Sequence, residues 1–318
     1  MHPAFSVIAF TTLSGAGYGV LALAGLGLFA PVLGMPGPSP LVLSVMLALG
    51  LALATIGLLS STFHLGKPLR AWRAFSQWRT SWLSREGVMA VLVYLPALAL
   101  LALLVPAAIG RGEGVPAPLA AVLGAVLALL SLVTLACTAM IYASLKPIPA
   151  WGHRLVLPAY LLFGLQGGLA LTAAVAAFDD GRMAAGLLVA VALPGLALAG
   201  VKLRYWRAID STPLPVTRGD AVGLPGREIR VFERPHTEGN YITREMGFVL
   251  ARKHARALRH LAIALFAVLP LLLAALGLGF EQAVLPLALL ALASVLLGAF
   301  VERWLFFAQA RHVVGLYY

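Results

Sequence analysis

Leu41-Val-Leu-Ser-Val-Met-Leu-Ala-Leu-Gly-Leu-Ala-Leu-Ala-Thr-Ile-Gly-Leu-Leu-Ser-Ser-Thr-Phe-His64 decides the fold of this chain. It carries no Asp, Glu, Lys or Arg over a length that exceeds the roughly 20 residues a helix needs to cross a bilayer. Read outward from it, the sequence offers companions at Phe5–Leu33, Gly87–Ile109, Pro118–Tyr142, Leu155–Phe178, Ala184–Leu203, Leu261–Phe280 and Ala283–Phe307, eight spans in all. In lipid every backbone N–H and C=O must find a partner within the protein, so these are expected to be helices. Strands of a membrane barrel would alternate in hydrophobicity, and these runs of Leu, Ala, Val and Gly do not. The composition agrees, at 61% hydrophobic and 11% charged residues, far from that of a soluble domain. The first span has only His2 before it and no basic leader, so it is read as a retained helix rather than a cleaved signal peptide. The expectation is an all-α integral membrane protein, residues 1–318 forming a single membrane domain. A short basic loop lies at 65–86 and a long loop at 205–257.

An even number of spans puts both termini on one side, together with the loops at 65–86, between the fourth and fifth spans, and at 205–257. Of the 23 Lys and Arg residues, all but Arg111 and Arg182 fall on that side. Under the positive-inside rule it is cytoplasmic, and both termini with it. The net charge of +11 does not read as nucleic-acid binding. The basic residues sit beside helix ends, where anionic lipid headgroups account for them, and no nucleic-acid-binding module is recognisable.

Cys137 is the single cysteine, which excludes an iron–sulfur cluster or a c-type haem in this chain. No Walker loop, HExxH or Ser-His-Asp grouping is visible, so chemistry on a soluble substrate belongs elsewhere. The spans show no carboxylate at mid-depth, where pumps and proton-coupled transporters keep one. Glu302 and Arg303 come nearest, and are expected to pair with each other or with neighbouring helices. Gln166 is read as a helix–helix hydrogen bond, and Gly164 with Gly168 as a close-packing pair. A transmembrane proton channel is not expected. A secondary transporter is the reading from another class, but no internal repeat or broken central helix supports it. His64, His153, His260 and His312 all lie at cytoplasmic helix ends. A two-haem anchor needs axial ligands at two depths, so no haem is expected; one haem on His64 and His260 is the alternative.

The strongest local signal is Ser60-Ser-Thr-Phe-His64-Leu-Gly66-Lys-Pro-Leu-Arg70-Ala-Trp72-Arg73, a span that ends in hydroxyls and an imidazole and turns into a basic, Trp-bearing loop. Quinone chemistry needs a donor to a carbonyl oxygen, a proton route to water and an apolar slot. An interfacial imidazole suits the first two, because its pKa lies near neutrality. The competing reading is an interfacial histidine with Trp72, Trp78 and Trp82 forming an aromatic belt. The residues alone leave both open.

The stretch His64-Leu-Gly-Lys-Pro-Leu-Arg-Ala-Trp72, followed by Ser81-Trp-Leu-Ser-Arg-Glu86, resembles the membrane anchor subunit family of dimethyl sulfoxide reductase. So does Tyr142-Ala-Ser-Leu-Lys-Pro-Ile-Pro149-Ala-Trp151, and the eight-span layout matches as well. The opening Met1-His-Pro-Ala-Phe-Ser6 and the tail Glu302-Arg-Trp-Leu-Phe-Phe-Ala-Gln-Ala-Arg-His312 are similar to one branch. The resemblance implies a heterotrimer in the bacterial inner membrane. A molybdopterin subunit handles the substrate, a four-cluster iron–sulfur subunit conducts electrons and contacts this chain, and the anchor exchanges them with quinone, ubiquinone or menaquinone. The molybdenum cofactor and the clusters then belong to the partners. The family's quinol-site histidine carries over to His64; Gly66, Arg70, Tyr142 and Trp151 fall on motif positions and complete the expected quinone pocket. The chain departs from the enteric anchor in its long loop and in its orientation, since charge places the motif-bearing face inside. In that respect it resembles the anchors of cytoplasm-facing, sulfite-oxidising molybdoenzymes. Sulfite oxidation with quinone reduction is therefore expected, with a quinol-oxidising, dimethyl sulfoxide reductase-like anchor as the alternative.

The long loop contains Phe232-Glu-Arg234-Pro-His-Thr-Glu-Gly-Asn-Tyr-Ile-Thr-Arg244-Glu-Met-Gly-Phe248 and the prolines 213, 215, 225 and 235, a pattern of irregular structure. A long structureless segment in a compact protein usually has a function. Arg230, Arg234 and Arg244, with Arg73 and Arg79 of the shorter loop, are read as docking residues for carboxylates of the iron–sulfur partner. The plainer reading is a solvated linker with a short amphipathic helix on the headgroups.

Overall fold

The computed structural model describes residues 4–35, 37–63, 65–112, 114–230, 232–233 and 254–317. Eight helices are long and apolar enough to cross a membrane. They are α1 (Phe5–Gly27), α2 (Pro40–Thr62), α3 (Trp82–Ala108), α4 (Ala117–Ala143), α5 (Val156–Ala176), α6 (Gly181–Ser211), α8 (Ala255–Gly279) and α9 (Val284–Ala308); α7 (Arg218–Ala221) is one turn between α6 and α8. All eight expected spans are present. Two boundaries differ in a way that matters later: α3 begins at Trp82 rather than Gly87, and α6 continues to Ser211 rather than stopping at Leu203. Charged residues at these ends read as loop in the sequence. In the fold they stay helical because the protein supplies their partners.

Local chemistry sets several starts. Ser39 accepts the Val42 N–H at 3.3 Å ahead of Pro40, and Asp180 accepts the Arg182 and Met183 N–H groups at 2.9 and 3.1 Å. Both are N-caps for donors that the first helical turn leaves unpaired. α8 contains a π-turn at Ala264–Val268 just before Pro270. Pro270 has no N–H to give the Phe266 carbonyl, and in lipid that carbonyl still needs a donor. Gln166 of α5 provides it at 2.5 Å, and Ser294 of α9 donates to the neighbouring Leu265 carbonyl at 2.6 Å. Gln166 is thus the helix–helix bond the sequence suggested.

The helices pack as two four-helix groups, α1–α4 and α5, α6, α8 and α9, each a ring of neighbouring helices. α1 and α4 of the first meet α5 and α9 of the second. Backbones approach closely at this junction. Gly19 of α1 lies against Gly164 and Gly168 of α5, and a Cβ on Gly19 would overlap the Gly164 carbonyl. Gly19→Leu is therefore expected to destabilise the subunit by about 1–3 kcal/mol or more through overpacking, read as a fall in the thermal unfolding midpoint in detergent. Gly200→Leu, where a side chain meets open space, should leave it unchanged.

Candidate functional site

The end of the bundle that carries both termini, here called the basic face, holds the sequence motifs. The hydroxyls that close α2 bond back to their own helix, and that of Ser60 also reaches the Ser6 carbonyl of α1 at 3.1 Å. Ser60, Ser61 and Thr62 donate to the Gly57, Leu58 and Leu59 carbonyls at 2.7, 2.6 and 2.7 Å. Beyond them, Pro68–Gln77 forms a 3₁₀ segment that leaves Leu69, Trp72 and Trp78 exposed. It is held to the start of α3: Ser84 donates to the Ala74 carbonyl, Phe75 covers Gly87, and Arg85 donates to the Trp78 and Arg79 carbonyls at 3.0 and 2.6 Å. The arginines lie over ring faces, Arg73 on Trp72, Arg79 on Trp78 and, at 4.3 Å, Arg85 on Trp82.

One residue after Arg85 the helix turns inward. Glu86 is 5% exposed and accepts a hydrogen bond from Thr138 of α4. Tyr142 sits in an aromatic cluster, edge-on to Trp151 at 5.4 Å, stacked with Tyr160 at 6.0 Å and edge-on to Phe306 and Phe307. The Trp151 indole donates to the Phe306 carbonyl at 3.0 Å and ties the loop after α4 to α9.

Beside this cluster is a second group of buried charges. Glu302 pairs with Lys202 of α6 and, at 3.4 Å, with Arg303. The Arg303 guanidinium rests 3.5 Å from the Tyr160 ring centroid and the Lys202 ammonium 3.9 Å from that of Tyr205, so both cations use ring faces as partners. Above them a cavity of about 610 Å³ opens to the basic face, lined by His153, Asp210, Arg256, Arg259 and Arg311 among others. Arg259 grips Asp210 with bonds of 2.5 and 2.9 Å. Burial, then the charges of Arg154 and Lys202, hold the His153 imidazole below its usual pKa, so it is neutral at neutral pH. Its Nδ1 accepts the Leu155 N–H at 3.2 Å, which leaves the proton on Nε2. Among the described residues, no three His, Cys, Asp or Glu side chains come together to hold a metal ion.

Residues 1–309 match the family described as DMSO reductase anchor subunit (DmsC). The chain belongs to that family. A sulfite dehydrogenase subunit of Allochromatium vinosum is 33% identical to it over 326 aligned positions, covering 100% of this chain and 99% of that protein. With its eight apolar helices, the chain is a multi-pass membrane anchor subunit of an oxidoreductase complex of this kind.

Of the positions the anchor motifs pointed to, Tyr142 and Trp151 are brought together, while Gly66 and Arg70 lie exposed on the outer segment. Among the described residues, no hydrogen bond or ring contact joins the two pairs. His64, Arg234 and Arg244 lie outside the described residues. Arg230 is exposed beside Glu228 at 3.5 Å. Glu86, placed by its sequence in the basic loop, is a carboxylate inside the bundle, whereas Glu302 pairs with Arg303 and with Lys202 of a neighbouring helix as expected.

The charge cluster makes a stability prediction. Lys202→Met strands the buried Glu302 carboxylate and should cost about 3–5 kcal/mol. Adding Glu302→Gln removes the stranded charge and should recover most of that loss, as measured by thermal unfolding of the two variants.

Proposed function

We propose that this anchor passes electrons between an iron–sulfur partner docked on the basic face and membrane quinone held at the α2–α3 end. In the direction favoured here, the complex oxidises sulfite and reduces quinone, and the basic face is cytoplasmic in a bacterial inner membrane. The observation that carries the reading is Glu86, a carboxylate kept inside the bundle directly beneath the arginine- and tryptophan-bearing 68–81 segment and bonded to Thr138.

Quinone is substrate here; two electrons and two protons convert it to quinol. The residues present fit that need. Glu86 and Thr138 offer a buried group that exchanges protons, and burial of such a group is justified where chemistry requires it. Leu59, Phe63 and Leu83, exposed on the lipid side of α2 and α3, give an isoprenoid tail an apolar approach. His64 lies two residues beyond the end of α2 in the chain and is the proposed second proton-exchanging group. Tyr142, one turn nearer the basic face than Thr138 on α4, packs on Trp151, and the pair serves this site as its rigid wall rather than as ligands. Arg70, Arg73 and Arg79 project outward and meet acidic groups of the iron–sulfur partner, with Arg230, Arg234 and Arg244 of the long loop as further docking residues. Rim charges of this kind steer encounter more than they set affinity.

Sulfite is the favoured electron source because the similarity to the Allochromatium vinosum protein spans both chains from end to end. The family's description favours a quinol-oxidising reductase instead, and the same site then runs in reverse. In the assembled complex, His64→Ala and Glu86→Gln should each lower quinone-linked turnover by about 10²-fold or more, the usual contribution of a proton-transfer group. Substrate-driven dye reduction by the partner subunits should be unaffected. Retained quinone turnover in both variants would remove the site from the α2–α3 end.

Orientation has its own test. The thiol of a Lys146→Cys variant, exposed in the loop between α4 and α5, should react with a membrane-impermeant maleimide in inverted vesicles but not in intact cells, and that of Gly112→Cys should do the opposite. The native Cys137 is 4% exposed and should stay silent in both.

A further inference from the structure

Glu86 is buried, so protons exchanged with quinone there need a path to water. Resting on the quinone reading above, we propose that the path starts at the basic-face cavity and runs through Tyr205, the Lys202–Glu302 pair and Tyr160 to a water-sized crevice that ends at Thr138 and Glu86.

The members of the path are joined by hydrogen bonds, an ion pair, ring-face contacts and one shared crevice. The cavity wall includes His153 and Ala150. The Tyr205 hydroxyl donates to the Ala150 carbonyl at 3.1 Å, and the His153 ring stands edge-on to Tyr205 at 5.5 Å. His153 keeps Nδ1 on the Leu155 N–H, which frees Nε2 to trade protons with the cavity. One helical turn deeper on α6, Lys202 lies under the Tyr205 ring and pairs with Glu302, and Arg303 continues the line onto Tyr160.

Tyr160 and Arg303 line a crevice at the junction of the two four-helix groups, shared with Thr12 of α1 and Thr138 of α4. Its free volume is about 10 Å³, close to the least that holds one water. The neighbouring hydroxyls of Thr11 and Ser14 are spent on their own helix. Those of Thr12 and Tyr160 are buried without a partner, and a bound water is the ordinary remedy for such groups. Thr138 lines the same crevice and donates to Glu86. The route starts and ends near the basic face, so it supplies protons without crossing the membrane.

The balance is simple. Sulfite and water on the partner subunits yield sulfate, two electrons and two protons. The electrons reach quinone through the iron–sulfur partner, and two protons drawn from basic-face water by this route complete quinol. An alternative role for the buried ions is purely structural, and the experiment separates the two.

The assembled complex is compared with one carrying Lys202→Met/Glu302→Gln, which preserves the net charge of the cluster while removing the pair that hands on protons. Sulfite-driven dye reduction and the affinity for a fluorescent quinone-analogue inhibitor should be unchanged. Quinone-linked kcat should fall about tenfold or more, with a larger solvent deuterium isotope effect and partial recovery when formate is added as a mobile proton carrier. Unaltered kcat would overturn the route and leave the quinone site standing. Loss of inhibitor binding together with kcat, without recovery by formate, would assign the ions a structural role and also overturn it. A wild-type complex unable to reduce quinone would overturn the quinone reading and this route together. If the double variant does not assemble, Tyr160→Phe and Tyr205→Phe remove only hydroxyls; the same fall in kcat and rise in isotope effect is expected of each, and unchanged values in both would overturn the route.

Discussion

Charge placed among membrane-spanning helices has to be neutralised inside the protein, and this requirement organises the basic-face half of the fold. Among the described residues four charged side chains are buried, the carboxylates of Glu86 and Glu302 and the cations of Lys202 and Arg303, so their formal charges cancel. None of them could be held in lipid alone at a tolerable cost. Glu302 is placed between Lys202 and Arg303, and the cations extend their partnership to the faces of Tyr205 and Tyr160. The aromatic cluster of Tyr142, Trp151, Phe306 and Phe307 then closes around them. Replacing such a network with well-packed apolar residues is often neutral or stabilising, so its presence here points to a use.

The junction of the two four-helix groups is where that use is concentrated. Close packing through Gly19, Gly164 and Gly168 lets α1 and α5 approach within backbone contact, and the hydroxyls of Thr12, Thr138 and Tyr160 meet in the same seam. A membrane anchor that serves a quinone has two physical tasks, holding the ring near the electron donor and moving protons to it. The first falls to the α2–α3 end beneath the docking segment. The second fits the seam, because it joins the only deep carboxylates among the described residues.

The spans were legible because an apolar run of bilayer length has few other interpretations, and the family was legible from motifs at their ends. The pairing of Glu302 and Arg303 was legible too, but the burial of Glu86 was harder. Glu86 follows Arg85, and a charged pair at a span boundary reads as loop. The helix rotates by about 100° per residue, so Arg85 faces the docking segment while Glu86 faces the core. A signal existed. The buried positions of α3 include Glu86, Ala90, Val93, Ala97, Leu100 and Leu104, and Lys202 and Glu302 fall in the same kind of register on α6 and α9. It is faint because the lipid-facing sides of these helices are as apolar as the buried sides, which erases the contrast that marks a core face in a soluble protein. Gln166 was read correctly as a helix–helix bond, but its target, the carbonyl that Pro270 leaves without a donor, needed the fold. The reading of Arg234 and Arg244 rests on sequence alone.

The most direct measurement is a map of the assembled complex with a quinone analogue bound. The ring should lie at the α2–α3 end, within hydrogen-bond reach of Glu86 or His64, with the iron–sulfur partner seated over the 68–81 segment. A ring bound at the opposite face, near Arg111 and Arg182, would contradict this placement.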